Sequence, residues 1–281
     1  MTREQQQGDL TGARTLHGGL EAMLDRIEAS VTLYDLFAIA VLYMIFGHFG
    51  ESFADKLWLR TGDRILVPVF LISIGYNVGR KVDWRLLAGA AIVAFLRWFM
   101  YHHWLPALSS FPANVLVTII AIRFFIDPLM HFALASKWRF WSVTIAMMAF
   151  AHLTNEHVAL YGTLGVLLAM AGWLARSRND IPKGIVNVEA YFIFVFCFYI
   201  AFNEWRFGFS ALQLSCIVAG TALVFRLLYD MRKILSHSLR RKPDDLITKI
   251  CRFVGRNSLE IYTLHMIVYY GIFYYAFSVH V

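Results

Sequence analysis

Charge is what this sequence has least of. Asp, Glu, Lys and Arg together make up 16% of its 281 residues, against about 25% in an ordinary soluble chain. That scarcity excludes a disordered protein, a coiled coil and a typical soluble enzyme. Proline and glycine are also few, 6 and 18 residues, so no linker-rich or low-complexity stretch divides the chain. The three cysteines (Cys197, Cys216 and Cys251) have no metal-ligand spacing and make no disulfide framework. Phosphate loops, dinucleotide fingerprints, Gly-x-Ser-x-Gly elbows and zinc-protease helices are all missing from the sequence.

Apolar residues fill the space. They make up 59% of the chain, with 24 Phe and a mean hydropathy of +0.56. This composition predicts an all-α integral membrane bundle. Residues 1–31 are polar and lack the parts of a signal peptide. Within them Leu16, Leu20, Met23, Leu24 and Ile27 have helical spacing, which predicts an amphipathic helix in a cytoplasmic N-terminal segment. Residues 32–281 then form the transmembrane domain. Nine apolar runs are expected to cross the bilayer: 33–53, 64–79, 85–104, 114–133, 138–153, 158–175, 187–204, 209–228 and 258–279. The run at 114–133 contains Arg123, Asp127 and Pro128, so a break or kink is expected there.

The net charge of +7 does not point to nucleic acid, because the cations sit in short loops between apolar runs. Loops 80–85, 134–139, 175–186 and 229–257 are basic, and they alternate with loops poor in Lys and Arg. The positive-inside rule then predicts a cytoplasmic N-terminus, nine spans and an external C-terminus. The 229–257 segment is expected to be partly helical.

An ionisable side chain at membrane depth costs at least about 2.5–3.5 kcal/mol on insertion scales, so each one is a site candidate. His48 lies late in the first run, flanked by Gly47 and Gly50, with Glu51 three residues on. A carboxylate beside an imidazole suits a general base or an acyl-accepting nucleophile. The competing reading is a histidine bonded to a neighbouring helix. His152, Asn155, Glu156 and His157 cluster at an expected external turn. They read as a solvated turn, a substrate-facing acid/base group or, with further ligands, a metal site; no metal is expected. Arg64 opens the second run beside Asp63, either to clamp an anion or to snorkel. Arg123 and Asp127 are expected to form an internal ion pair. His102 and His103 read as interfacial. His265 lies in the last run, within an aromatic stripe (Tyr269, Tyr270, Tyr274, Tyr275) that reads as packing.

These positions also resemble a family. The order Asp35, His48, Gly62-Asp63-Arg64, Pro68, Phe70, Gly75-Tyr76 is similar to the start of the TraX family of membrane acetylases. Tyr161-Gly162-Thr163-Leu164-Gly165-Val166-Leu167 resembles a later stretch of that family, and Tyr262 with His265 its terminal element. The form Asn257-Ser258-Leu259, Ile261-Tyr262, His265 also resembles acyltransferase family 3. The resemblance covers roughly residues 33–275 in order. It implies transfer of an acetyl group from acetyl-CoA to the amino terminus of a conjugative pilin at the bacterial inner membrane. It departs at Gly47, where the family commonly has Asp. Either Glu51 or Asp35 then supplies the carboxylate, or the chemistry is altered or lost. The expected roles are His48 as base or acyl carrier oriented by Glu51, and Arg64 as stabiliser of developing negative charge. His152, Glu156 or His157 is expected to take the amine proton, with His265 lining the donor path. Two other readings stand beside this one. One is an O-acyltransferase acting on a surface glycan or lipid. The other is a non-enzymatic pilus assembly or transport protein.

Overall fold

The computed structural model describes residues 32–49, 57–77, 81–104, 114–158, 160–240 and 246–278. Among the described residues the chain is all helix and turn, with no strand. Twelve helices follow one another: α1 (Leu33–Phe49), α2 (Leu57–Tyr76), α3 (Trp84–Trp104), α4 (Val115–Ala133), α5 (Lys137–Ala149), α6 (Ala151–His157), α7 (Gly162–Arg176), α8 (Val188–Phe207), α9 (Ala211–Tyr229), α10 (Met231–Arg240), α11 (Leu246–Arg256) and α12 (Ser258–Ser278). Three of them, α4, α8 and α9, are long and apolar enough to cross a membrane. The expected amphipathic helix at residues 16–27 lies outside the described residues, as does Glu51.

Local chemistry accounts for many of the helix starts. Thr32 and Asp35 bond reciprocally at the head of α1. Asn114 caps α4, Ser136 caps α5 and Asn187 caps α8. Ser210 and Gln213 form a capping box on α9. Each such side chain satisfies backbone N–H groups that a helix's first turn leaves open.

Residue pairs give the direction of each helix. Gly62 meets Tyr43 and Phe70 meets Phe37, so α1 and α2 are antiparallel. Arg64 meets Tyr161 and Gly75 meets Ala169, so α2 and α7 are parallel. His48 meets His265 of α12, and Tyr34 meets Gly255 at the end of α11, just ahead of α12, so α12 runs parallel to α1. The bundle thus has two ends. One carries His48, Arg64 and Tyr161. The other gathers Lys81, Arg85, Arg123, Arg176, Arg232 and Arg256, joined by bonds such as Arg123 to the Lys81 carbonyl and Arg232 to the Arg176 carbonyl. Exposed tryptophans sit at both ends: Trp58 and Trp205 near His48, Trp84 and Trp138 near the arginines. Tryptophan concentrates at both water–membrane boundaries in spanning proteins.

The α2–α7 contact is the centre of the core. A Cβ on Gly75 would stand 1.8 Å from the Ala169 carbonyl oxygen, and one on Gly172 would stand 1.9 Å from that of Ile72. Only glycine permits this approach of two backbones. Val69, Ile72, Leu167, Leu168, Ala171, Val195 and Leu228 close around it, each fully buried.

Four expectations are corrected here. The second apolar run was expected to begin at residue 64, but α2 begins at Leu57, so Arg64 lies two turns inside it. The charges there are tolerated because Arg64 has partners on other helices. α4 continues through Pro128 without a break. Pro128 is on the exposed face, while Ile122, Ile126, Met130 and Ala133 anchor the opposite one. Arg123 and Asp127 go to different partners: Arg123 donates to the Lys81 carbonyl and Asp127 accepts from the Trp173 indole at 2.8 Å. The expected turn at 154–157 is helical, as α6. The 229–257 segment forms α10 and α11, in keeping with the partly helical character expected of it.

Candidate functional site

A cavity of about 640 Å³ runs inside the bundle. Its lining includes Leu33 at the start of α1 and His48 near its end, a span of about 22 Å at 1.5 Å per residue. Arg85, Arg123 and Arg256 line one end. His48, Asp63, Arg64, Asn155, Tyr161 and Arg206 line the other. The stretch between them is walled by apolar side chains such as Val67, Phe70, Ile74 and Leu164.

At the His48 end two histidines from opposite ends of the chain meet. His48 Nδ1 and His265 Nε2 are 2.8 Å apart. His265 Nδ1 lies 3.3 Å from the Ile261 carbonyl oxygen. A carbonyl only accepts, so His265 carries its hydrogen on Nδ1 and accepts on Nε2. His48 therefore donates from Nδ1, and the lone pair of its neutral ring is on Nε2. His48 lines the cavity and His265 is not in the lining. His265 thus stands behind His48, outside the cavity lining. Tyr262 and Tyr269 lie with ring centroids 6.3 and 6.2 Å from His48.

Arg64 is held on several sides. It donates to the Tyr161 hydroxyl, lies 3.6 Å from Asp63 and stacks its guanidinium 4.6 Å from the Phe207 ring centroid. Arg60 and Arg206 approach the same ring, at 5.9 and 5.4 Å. Tyr199 donates to the Arg64 backbone carbonyl. The packing fixes the planar fork of Arg64 in place, which suits it to an anion or a polarised carbonyl.

Tyr161 turns the chain from α6 into α7 with φ of 67°, and is the one non-glycine residue at positive φ among those described. Such a conformation costs of order 1–3 kcal/mol and persists where surroundings enforce it. Here Asn155 Oδ1 accepts from the Tyr161 N–H at 2.8 Å, and Thr154 Oγ1 accepts from the Thr163 N–H at 3.0 Å.

The other expected residues fall differently. His152 packs edge-on against Trp205, 4.6 Å between ring centroids, on an exposed face outside the cavity lining. Glu156 and His157 are in the last turn of α6, and their side chains lie outside the described residues. Asp35 caps α1, about 20 Å along the helix from His48, so it is not the carboxylate that serves that histidine. At Gly47 a Cβ would come 2.9 Å from Asp63 Cβ, so the Asp63 side chain fills the space beside the missing one. Tyr199 and Arg206 join the site without any signal in the sequence beyond their own polarity, while Asn155 and Asp63 enter it from the cluster at 152–157 and from the side of Arg64. The chain matches no family model, and no curated protein and no solved structure shows significant similarity to it.

Proposed function

We propose that the protein is a multi-pass membrane acyltransferase. It carries an acetyl group from acetyl-CoA, taken up at the arginine end, to an amine presented at the His48 end. The observation that carries this reading is the cavity that joins Arg85, Arg123 and Arg256 to His48. In this reading the chain crosses the membrane nine times, with the N-terminus in the cytoplasm and the C-terminus outside. The basic loops then lie on the cytoplasmic side, as cations favour, where a phosphorylated donor is found. The resemblance to the TraX family makes the amino terminus of a conjugative pilin the proposed acceptor and the bacterial inner membrane the proposed location.

The residues present fit such a donor. Arg85, Arg123 and Arg256 would hold its phosphates, and the apolar middle of the cavity would take its arm. The donor supplies an activated acyl thioester. His48 Nε2 takes the proton lost by the acceptor amine as the carbon–nitrogen bond forms and the carbon–sulfur bond breaks, then returns it to the departing thiolate. His265 holds the tautomer that makes this possible. Arg64 stabilises negative charge developing on the acyl oxygen. The apolar walls keep water from competing with the amine. His152, outside the cavity lining, has no part in this scheme.

The test is the intact mass of the mature pilin with the gene present, deleted, or carrying His48→Ala. An acetyl group present only with the intact gene is expected. An unchanged mass in all three strains would remove pilin as the acceptor. Full acetylation by the His48→Ala protein would remove His48 from the chemistry.

A further inference from the structure

On the cavity wall, the buried Asn155 Nδ2 and Ser73 Oγ have no hydrogen-bond partner among the described residues. Asn155 is 2% exposed and Ser73 6%, and both residues line the cavity. Their partnerless state is informative because each had a local alternative. Serine inside a helix commonly donates back to a carbonyl of the preceding turn, and Ser73 does not. The Asn155 amide cannot be flipped, since its Oδ1 accepts from the Tyr161 N–H at 2.8 Å. That bond leaves the NH₂ side of the amide as the donor to be satisfied. A buried donor without a partner is rare in folded proteins and calls for an explanation such as a ligand.

The two donors sit at different depths. Asn155 is bonded to Tyr161, which is level with Arg64. Ser73 is nine residues further along α2, about 14 Å towards the arginine end. A ligand that satisfies both is therefore elongated and carries a hydrogen-bond acceptor at its inner end and another part-way along its arm. An acyl-pantetheine has this pattern, with a thioester carbonyl at the tip and amide carbonyls along the arm. We infer that Asn155 donates to the reacting acyl carbonyl, beside Arg64, and that Ser73 donates to an amide carbonyl of the pantetheine arm. This assignment rests on the acyltransferase reading and names how the same cavity recognises its donor.

Binding of acetyl-CoA and of CoA to the full chain in detergent tests it, with Asn155→Asp and Ser73→Ala as variants. Asn155→Asp keeps the acceptor for Tyr161 and removes the donor. It is expected to weaken acetyl-CoA about fivefold to tenfold while leaving CoA, which lacks the acyl carbonyl, within about twofold. Ser73→Ala is expected to weaken both ligands about equally. Its ligand-free melting temperature should match or exceed that of the wild type, because a buried unpaired hydroxyl has been removed. A merely structural serine would instead lower the melting temperature and leave affinity alone, which overturns its assignment. Equal loss of both ligands in Asn155→Asp, or no loss, overturns that of Asn155. Should Asn155→Asp not fold, equal affinity of the wild type for acetyl-CoA and CoA overturns it, and tighter acetyl-CoA supports it. If the wild type binds neither ligand, the acyltransferase reading itself fails and this inference with it.

Discussion

His48 and His265 are 217 residues apart in the chain and share one hydrogen bond of 2.8 Å across the α1–α12 seam. Because the Ile261 carbonyl holds the far side of His265, the bond has a direction, from His48 to His265. One ring faces the cavity and the other sets its tautomer.

That arrangement predicts strongly non-additive substitutions. His48→Ala and His265→Ala are each expected to slow acyl transfer about 10²–10⁴-fold, the range of a general base. The double variant should be no slower than His48→Ala alone, since both residues act through one nitrogen. Single-turnover transfer rates check this. Multiplied losses in the double variant would mean that His265 acts independently of His48.

Arg64→Lys tests the fork rather than the charge. Lysine keeps the cation but loses the planar stack on Phe207 and the forked donor geometry. Transfer is expected to fall about 10²-fold or more, as for loss of an oxyanion donor. Near-wild-type rates in Arg64→Lys would show that charge alone suffices at this position.

The arginine end should make donor binding depend on salt. Arg85 is exposed and pairs with Glu260, also exposed, at 3.4 Å, a bond worth at most about 1 kcal/mol to stability. Arg85→Ala should therefore leave the melting temperature almost unchanged while weakening acetyl-CoA. Affinity for acetyl-CoA should also fall as salt rises. Acetyl-pantetheine, which lacks the nucleotide phosphates, should show much less salt dependence. Equal salt dependence for the two would place the phosphates elsewhere.

The central helix contact should tolerate no side chain. Gly75→Ala and Gly172→Ala each drive a methyl group into a carbonyl oxygen of the facing helix. Overpacking of this kind costs about 1–3 kcal/mol or more, to be seen as a lower melting temperature in detergent. Gly271, in α12, has nothing among the described residues within 4 Å of its would-be Cβ. Gly271→Ala is expected to be neutral or slightly stabilising, since alanine is the better helix former.

The proposed orientation has its own check. A phosphatase reporter inserted after Gly208, at the His48 end, should be active in the periplasm. The same reporter after Asp180, in a basic loop at the other end, should be inactive. The reverse pattern would invert the molecule and put the arginines on the wrong side for a cytoplasmic donor.

Sequence by itself determined the helical class, the approximate course of the apolar segments and the gathering of basic loops into alternate connections. These properties follow from composition and from local alternation, which every segment carries within itself. It also marked His48 and Arg64, because a charge or imidazole inside an apolar run stands out wherever the run packs. Sequence reading placed Arg64 at the start of its helix, since Arg60, Asp63 and Arg64 look like a loop. Tertiary partners such as Tyr161 and Phe207 make the Arg64 charge tolerable inside α2. The partner of His48 was likewise decided by the fold. Helical spacing names Glu51, which lies outside the described residues, whereas the meeting of His48 with His265 depends on which helices pack together. The unpaired donors of Asn155 and Ser73 were hidden for the same reason. A polar residue in an apolar helix looks the same whether its bonds are satisfied or not, and only the packed neighbours show that these two are left with donors to give.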